Sequence, residues 1–381
     1  MSSSPDQGPV RLDPIEVAVE ALAGGRAVIV VDDEGRENEG DMIFPATTAT
    51  AAQTAFMIRH SSGFICVGMT GADLDRLHLP PMTAVNEDRK GTAYSVSVDA
   101  RAVRSTGISA EDRATTIRVL GEPSTTPRDL TRPGHVMPLR AVPGGVLRRP
   151  GHTEAAVDLV RMAGLPAAGA LCEMVNDDGT MMDAPACRAF CDEHGLPLVS
   201  IADLIRYRLD HETLMERVAD TVIPTPQGRF RAIAYRSKVD SSEHLALVHG
   251  DIDGGEDVLV RVHPECAFGD VFESQLCSCR RKLTRSLEVI SAEGRGVLVY
   301  VRPQGDQGHG EGRRIVGGHW TDGDPSLSTD DLDYGTGTQI LRDLGVRSMR
   351  VITGHPERTY RVEPFGLTIT GTRDVVPDQP A

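Results

Sequence analysis

The 381-residue chain lacks a basic excess: 40 lysines and arginines stand against 55 acids, a formal net charge of −15 at pH 7. Nucleic acids and acidic membrane surfaces are recognised through concentrated positive charge, so this balance excludes a general binder of either. Aromatic residues are scarce at 4%, with a single tryptophan, Trp320, which leaves little on which bases could stack. No apolar run approaches the roughly 18 residues of a membrane span. The opening residues carry neither the basic nor the apolar stretch of a secretory signal, so a cytoplasmic location is expected. Seven cysteines are an odd number, and in a reducing compartment they read as buried thiols or metal ligands rather than a disulfide framework. There is no internal repeat.

What is present is the mix of a globular chain, 40% hydrophobic and 25% charged, long enough for two domains. Apolar spacing predicts a helix from Pro14 to Gly24 and a buried strand from Ala27 to Val31. It predicts further helices over 50–59, 110–119, 154–163, 184–193 and 202–207, and strands over 64–69, 94–98, 170–175 and 198–200. The Pro/Gly-rich stretch 121–151 reads as loop. The alternation describes one α/β domain, 1–208. After the polar segment 208–212, short strands at 232–235, 245–248 and 258–262 suggest hairpins. A helix over 282–292, a strand over 296–301, a mobile loop over 303–333, a helix over 336–344 and a strand over 348–352 complete a second domain, 209–381.

Chemistry gathers first behind the strand 27–31. Asp32-Asp33-Glu34-Gly35-Arg36-Glu37-Asn38-Glu39-Gly40-Asp41 packs six carboxylates into ten positions. Carboxylates at a strand end suit a hard cation and a neighbouring arginine suits a phosphate; a solvated turn is the alternative. In Arg149-Pro150-Gly151-His152-Thr153-Glu154, His152 stands at the mouth of a predicted helix, where backbone N–H groups favour an anion. His135 falls in the Pro/Gly loop. Glu173 interrupts the apolar strand Leu171 to Val175, a costly place for a carboxylate without a partner or a function.

These segments, together with Ser105-Thr106-Gly107-Ile108-Ser109-Ala110-Glu111-Asp112-Arg113 and Arg132-Pro133-Gly134-His135-Val136-Met137-Pro138-Leu139, closely resemble 3,4-dihydroxy-2-butanone-4-phosphate synthase of riboflavin biosynthesis over residues 12 to 208. The resemblance implies conversion of D-ribulose 5-phosphate to L-3,4-dihydroxy-2-butanone 4-phosphate and formate by a homodimer with a mixed-sheet α/β (α+β) fold. It implies Glu37 and His152 as ligands of Mg²⁺ or Mn²⁺, two ions per site. It places Arg36, Glu37, Asp41, Arg149, Pro150, Gly151, His152, Thr153 and Glu173 at the substrate, and His135 and Glu173 in catalysis. Cys66 reads as a buried structural thiol, and Cys187 and Cys191 as core.

In the second domain Cys266, Cys277 and Cys279 fall within one 14-residue span. Three thiolates with an open fourth position suit a catalytic Zn²⁺. Residues 219 to 353, including Pro224 to Gly228, Ala246 to Ile252, Arg261 to Cys266 and Asp333-Tyr334-Gly335, resemble GTP cyclohydrolase II, implying these cysteines as zinc ligands and Arg261, His263 and Glu265 as GTP contacts. The chain departs from that family at several points. It reads Leu276-Cys277-Ser278-Cys279-Arg280 where the family has Arg-Cys-Asp-Cys-Gly, Lys282 where it has glutamine, and Leu332 where it has a catalytic arginine. An arginine on a triphosphate supplies charge-assisted contacts that leucine cannot make. The expectation is a synthase carrying a cyclohydrolase-like α/β domain without GTP turnover. The alternatives are a bifunctional enzyme or a non-catalytic nucleotide-binding or assembly module.

Overall fold

Val28, Ile29, Val30 and Val31 are all buried, and successive side chains of a strand point to opposite faces, so this strand must be covered on both sides. The computed structural model describes residues 10–33, 36–88, 90–275, 277–302, 329–354, 362 and 366–375, with the backbone alone of 329–334. The chain divides into two units, Met1–Arg208 and Leu209–Ala381.

In the first unit the order is α1 (Ile15–Ala23), β1 (Val28–Val31), β2 (Gly40–Pro45), α2 (Ala51–His60), β3 (Cys66–Met69), α3 (Gly71–Arg76), β4 (Val98–Ala100), α4 (Ala110–Gly121), β5 (Leu130–Arg140), α5 (His152–Met162), β6 (Ala168–Glu173), α6 (Ala184–His194), β7 (Leu198–Ser200) and α7 (Ile201–His211). Seven strands form one mixed sheet in the order β4-β5-β3-β6-β2-β1-β7. The pairs β1–β7 and β3–β5 are parallel and the others antiparallel. Val28, Val30, Ile43, Leu139 and Leu171 pack on one face with residues of α1, α5 and α7, while Ile29, Val31, Met42, Phe44 and Val67 pack on the other with residues of α2, α4 and α6. Each buried aliphatic of this kind contributes about 1.5–3 kcal/mol, and the period-2 division between two clusters holds the register. Local signals agree: Thr50 and Gln53 form a capping box on α2, Ser109 and Asp183 cap α4 and α6, and Gly195 closes α6 in the left-handed region.

The stretch 121–151 is not all loop. It contains β5, the longest strand of this unit, and His135 lies on it rather than in a loop. Pro133, Gly134 and Pro138 hide the strand from any propensity argument. Pro138 has no N–H to donate, but its carbonyl accepts from Ser95 N at 2.9 Å, and residues between Thr131 and Val136 bow out opposite the consecutive pair Val98 and Asp99. Also unanticipated are β2 and α3.

The second unit comprises β8 (Met215–Thr225), β9 (Gly228–Ser237), β10 (Glu243–His249), β11 (Val258–Pro264), α8 (Ala267–Asp270), α9 (Cys279–Glu293), β12 (Gly296–Val301), α10 (Thr329–Asp343), β13 (Ser348–Thr353) and β14 (Thr368–Asp374). Its sheet runs β14-β13-β11-β12-β10-β9-β8. The expected hairpin holds for β9 and β10, but β11 pairs in parallel with β12 and β13. Phe230, Leu259, Leu298 and Ile352 pack with Val289 and Ile290 of α9. Residues 303–328, most of the expected mobile loop, lie outside the described residues. Among the described residues no helix is long and apolar enough to cross a membrane.

Gly40 opens β2 against α6: a Cβ there would meet Cys187 Sγ at 2.5 Å and Val31 Cγ1 at 3.2 Å. Gly40→Ala should lower stability by about 1–3 kcal/mol in urea unfolding, and the double variant Gly40→Ala/Cys187→Ala should recover most of it. A single variant as stable as the parent would show that the two elements are not in this contact.

Candidate active site

The acid-rich turn between β1 and β2 is organised by Asp32, whose carboxylate accepts from the backbone N–H groups of Glu37 and Glu39, both at 3.1 Å, and from Arg36 at 2.8 Å. Asn38 takes the left-handed conformation (φ 55°) that this tight path requires. The turn thereby aims Glu37 and Glu39 back over the sheet. Asp41 follows on β2, directly opposite Glu173 at the end of β6. Like charges directly opposite across a strand pair repel, so the register itself creates an electrostatic demand.

His152 is the first residue of α5 and is buried. Its Nε2 lies 3.1 Å from the Val30 carbonyl, which can only accept, so the ring proton sits on Nε2 and the Nδ1 lone pair faces the acids. Nδ1 is 3.7 Å from Asp41 and 3.9 Å from Glu37. Burial pulls the His152 pKa down to about 4, which keeps the imidazole neutral. Arg149 pairs with Glu154 at 2.6 Å, and Glu154 also accepts from Val142 N at 3.0 Å. One turn on, Asp158 takes Val146 N at 2.8 Å and the Arg208 guanidinium at 2.7 Å. Two buried acids on one helix face therefore clamp the loop 142–151 that carries Arg149.

Arg36, Glu37, Asp41, Arg149, His152, Thr153 and Glu173 line one cavity of about 230 Å³. Pro150 and Gly151 do not line it, and neither does His135, which is tied to Asp99 of β4 at 2.7 Å. Cys66 is buried as expected but lines the cavity too. Sequence reasoning gave no individual role to Asp32 or Glu39, whose only signal was the density of acids in the turn. It also missed Asp88, Lys90, Thr92 and Tyr94, which line the cavity from a stretch without a motif. Lys90 Nζ donates to the Arg36 carbonyl at 2.5 Å, and its own carbonyl accepts from Arg149.

The donor set fits a hard divalent cation. Asp32, Glu37 and His152 form one group, and Glu39, Asp41 and His152 a second, with ligand atoms inside 4.8 Å of one another in each. Asp41 Oδ1 is buried without a hydrogen-bond partner. Burial, then Glu173 and the neighbouring glutamates, hold the Asp41 pKa well above the carboxylate range. Burial and Glu37 push Glu39 up to about 7. A unit-charge pair at 4.8 Å repels by roughly 3 kcal/mol at an effective dielectric of 20, about what one buried aliphatic contributes, so the cluster requires protons or a cation.

In the second unit Cys266, Cys277 and Cys279 bring their Sγ atoms within 4.8 Å of one another. Cys266 caps α8 and Cys279 opens α9. A Cβ on Gly269 would meet Cys277 Sγ at 2.6 Å, so only glycine fits beneath the thiols. Burial and the neighbouring thiols push the Cys279 pKa up, a cost that thiolate coordination would relieve. His263 is buried beside Asp270 at 3.1 Å and stacks on Tyr300, while Asp270 also accepts from Cys266 N at 2.9 Å. Burial works against ionising Asp270, yet the His263, Cys266 and Tyr300 hydrogen bonds hold its pKa low. His263 therefore supports the cysteine loop. Arg261 donates to the Ile352 carbonyl at 3.0 Å, and Glu265 lies 3.7 Å from Arg302. The side chain of Leu332 is outside the described residues.

The raised carboxylates make the stability of the fold depend on pH. Unfolded, Asp and Glu titrate near 4. Between that value and about 7 the folded protein holds a proton on Glu39 that the unfolded chain releases, and Asp41 acts in the same direction. Stability of the chelator-treated protein should therefore fall as pH rises across this window. Thermal melts should be lower at pH 8 than at pH 5.5, with the difference narrowed by Asp41→Asn or by Mg²⁺; equal slopes in parent and variant would refute the crowded cluster.

Residues 16–207 match the family described as 3,4-dihydroxy-2-butanone 4-phosphate synthase, and residues 216–374 match GTP cyclohydrolase II. The chain is 54% identical to riboflavin biosynthesis protein RibBA of Nocardia farcinica over 94% of this chain and 90% of the relative. It is 53% identical to RibBA of Mycobacterium tuberculosis over 94% and 88%. Its structure is similar to that of RibBX, a two-domain 3,4-dihydroxy-2-butanone 4-phosphate synthase from A. baumannii (TM-score 0.77, 33% identity, 95% of this chain and 99% of the other). It is also similar to a 3,4-dihydroxy-2-butanone 4-phosphate synthase in complex with two magnesium ions (TM-score 0.52, 43% identity, 52% and 98%). Fold, paired domain matches and full-length kinship agree: the chain belongs to the 3,4-dihydroxy-2-butanone 4-phosphate synthase family, as an enzyme of riboflavin biosynthesis whose synthase domain is followed by a GTP cyclohydrolase II domain.

Proposed function

We propose that D-ribulose 5-phosphate is converted to L-3,4-dihydroxy-2-butanone 4-phosphate and formate in the cavity bounded by β2, β6 and the start of α5. The observation that carries this assignment is the convergence of two carboxylate groups on the free Nδ1 of His152, beside Arg36 and Arg149. Glu37 and His152, with Asp41 adjacent, would hold Mg²⁺ or Mn²⁺; a divalent pair supplies positive charge against the negative charge that develops on neighbouring substrate oxygens. Arg149 and the N–H groups at the start of α5 orient the phosphate. Glu173, which accepts from Ser62 Oγ at 2.7 Å, moves protons between the sugar carbons and oxygens. Glu37→Gln and His152→Ala should each reduce turnover of ribulose 5-phosphate by at least about 10²-fold; full activity in either would overturn the metal assignment.

His135 acts, in this proposal, on the cavity of a second subunit. Its ring does not line its own cavity, and Ile108, next to the glycine that packs on it, is 53% exposed, an apolar side chain suited to a homodimer contact. Co-expressed His135→Ala and Glu173→Gln chains should recover about a quarter of parental activity, because half of the two-fold dimers then hold one intact site. No recovery over either variant alone would place His135 in its own subunit's site.

For the second unit we infer that Cys266, Cys277 and Cys279 hold zinc and that, with Leu332 in place of the arginine, GTP is not turned over at an ordinary rate. The gathered cysteines favour one other reading, a bifunctional enzyme that also hydrolyses GTP. Assay of the full chain with GTP and Zn²⁺ separates them: formate and pyrophosphate release at an ordinary rate would establish the second.

A further inference from the structure

The bowed segment of β5 is pinned by β4 and by Ser97, the residue before it. Gly134 N donates to Ser97 Oγ at 3.2 Å, and Asp99 takes two bonds from one residue: His135 N to Oδ1 at 2.9 Å and His135 Nδ1 to Oδ2 at 2.7 Å. The break in register between Val98 and Asp99 turns this carboxylate onto the imidazole. Gly107, in the left-handed region at φ 96°, packs on the pair so closely that a Cβ would lie 2.6 Å from His135 Nδ1 and closer still to Asp99 Oδ2. Gly134 likewise leaves no room for a Cβ against the Val98 and Asp99 backbone. Asp112 of α4, itself bound by Ser105 Oγ, also lies within electrostatic reach of His135.

We propose that Asp99 is the positioning residue for His135, fixing the plane of its ring and holding the ring proton on Nδ1, so that Nε2 is the atom that takes and returns a substrate proton. A carboxylate accepts from both N–H groups at once. Asparagine has one oxygen: when it serves the backbone N–H, its NH₂ faces Nδ1 and drives the ring proton to Nε2, which leaves no lone pair for proton abstraction. The functional half of this inference rests on the assignment of His135 to proton transfer; the structural half does not.

The test is ring ¹⁵N NMR of the full-length protein, with the His135 signals identified by their loss in His135→Gln, alongside kinetics of Asp99→Asn and Asp99→Glu. The parent should carry its ring proton on Nδ1, and Asp99→Asn should carry it on Nε2. Asp99→Asn should lower kcat by about 10²- to 10⁴-fold with KM changed only a few-fold, and Asp99→Glu should restore part of the rate. A parent ring protonated on Nε2 overturns the proposal without any variant, as does Asp99→Asn with parental kcat and unchanged ring shifts. Full activity in His135→Gln would instead remove the catalytic role of His135, and the ring shifts would still decide whether Asp99 sets its tautomer.

Discussion

Repulsion among carboxylates gathered around the buried Asp41 is the constraint around which the first unit is arranged. Glu37, Glu39, Asp41 and Glu173 converge from a turn and two strands, and Asp41 and Glu173 face each other in strict register. A chain optimised only for stability would place aliphatic side chains there, as it does immediately below at Ile43 and Leu171. Burial and the neighbouring acids raise the pKa of Glu39 and Asp41, and a buried oxygen of Asp41 is left without a hydrogen bond. Such a site is finished by protons at low pH or by a cation near neutrality, and the neutral Nδ1 of His152 is directed at it for the second case.

Holding that cluster open requires rigidity, and the surrounding polar groups provide it. Asp32 spends its carboxylate on the turn, with three donors on two oxygens. Glu154 and Asp158 clamp the following loop from one face of α5, each matched to an arginine and a backbone N–H. These are buried acids whose lone pairs are matched by donors, whereas Asp41 is a buried acid left short of them. The contrast separates acids that the fold satisfies from one that the fold leaves unsatisfied.

The second unit gathers softer groups by similar means. A glycine with no room for a side chain, a cap and a helix start bring three thiols together, and a hydrogen-bonded His–Asp–Tyr set supports the loop. The parallel strand β11 carries Arg261 and His263 at alternate positions and Glu265 directly follows it, yet their environments diverge: His263 is committed to Asp270, while Glu265 stands near Arg302. A shared face in the sequence therefore does not mean a shared task.

Much of this was legible without coordinates. The acid-rich turn, the Gly-His-Thr helix start and the cysteine trio each owe their chemistry to residues a few positions apart, and local spacing survives in sequence. The capped helices α2, α4 and α6 were legible for the same reason, whereas the short capped α3 was not. What the tertiary structure alone decided is long-range: β5 runs through a stretch whose prolines and glycine argue against a strand, because pairing with β3 and β4 outweighs propensity. The order β3-β6-β2-β1 brings residue 173 opposite residue 41 and residue 152 beneath residue 30, separations no periodicity encodes. That same sheet carries His135 away from the cavity and into the hold of Asp99. Composition and motif thus determined which chemical groups this protein possesses, and strand pairing determined which of them meet, since hydrogen-bonded register is set by contacts between segments distant along the chain.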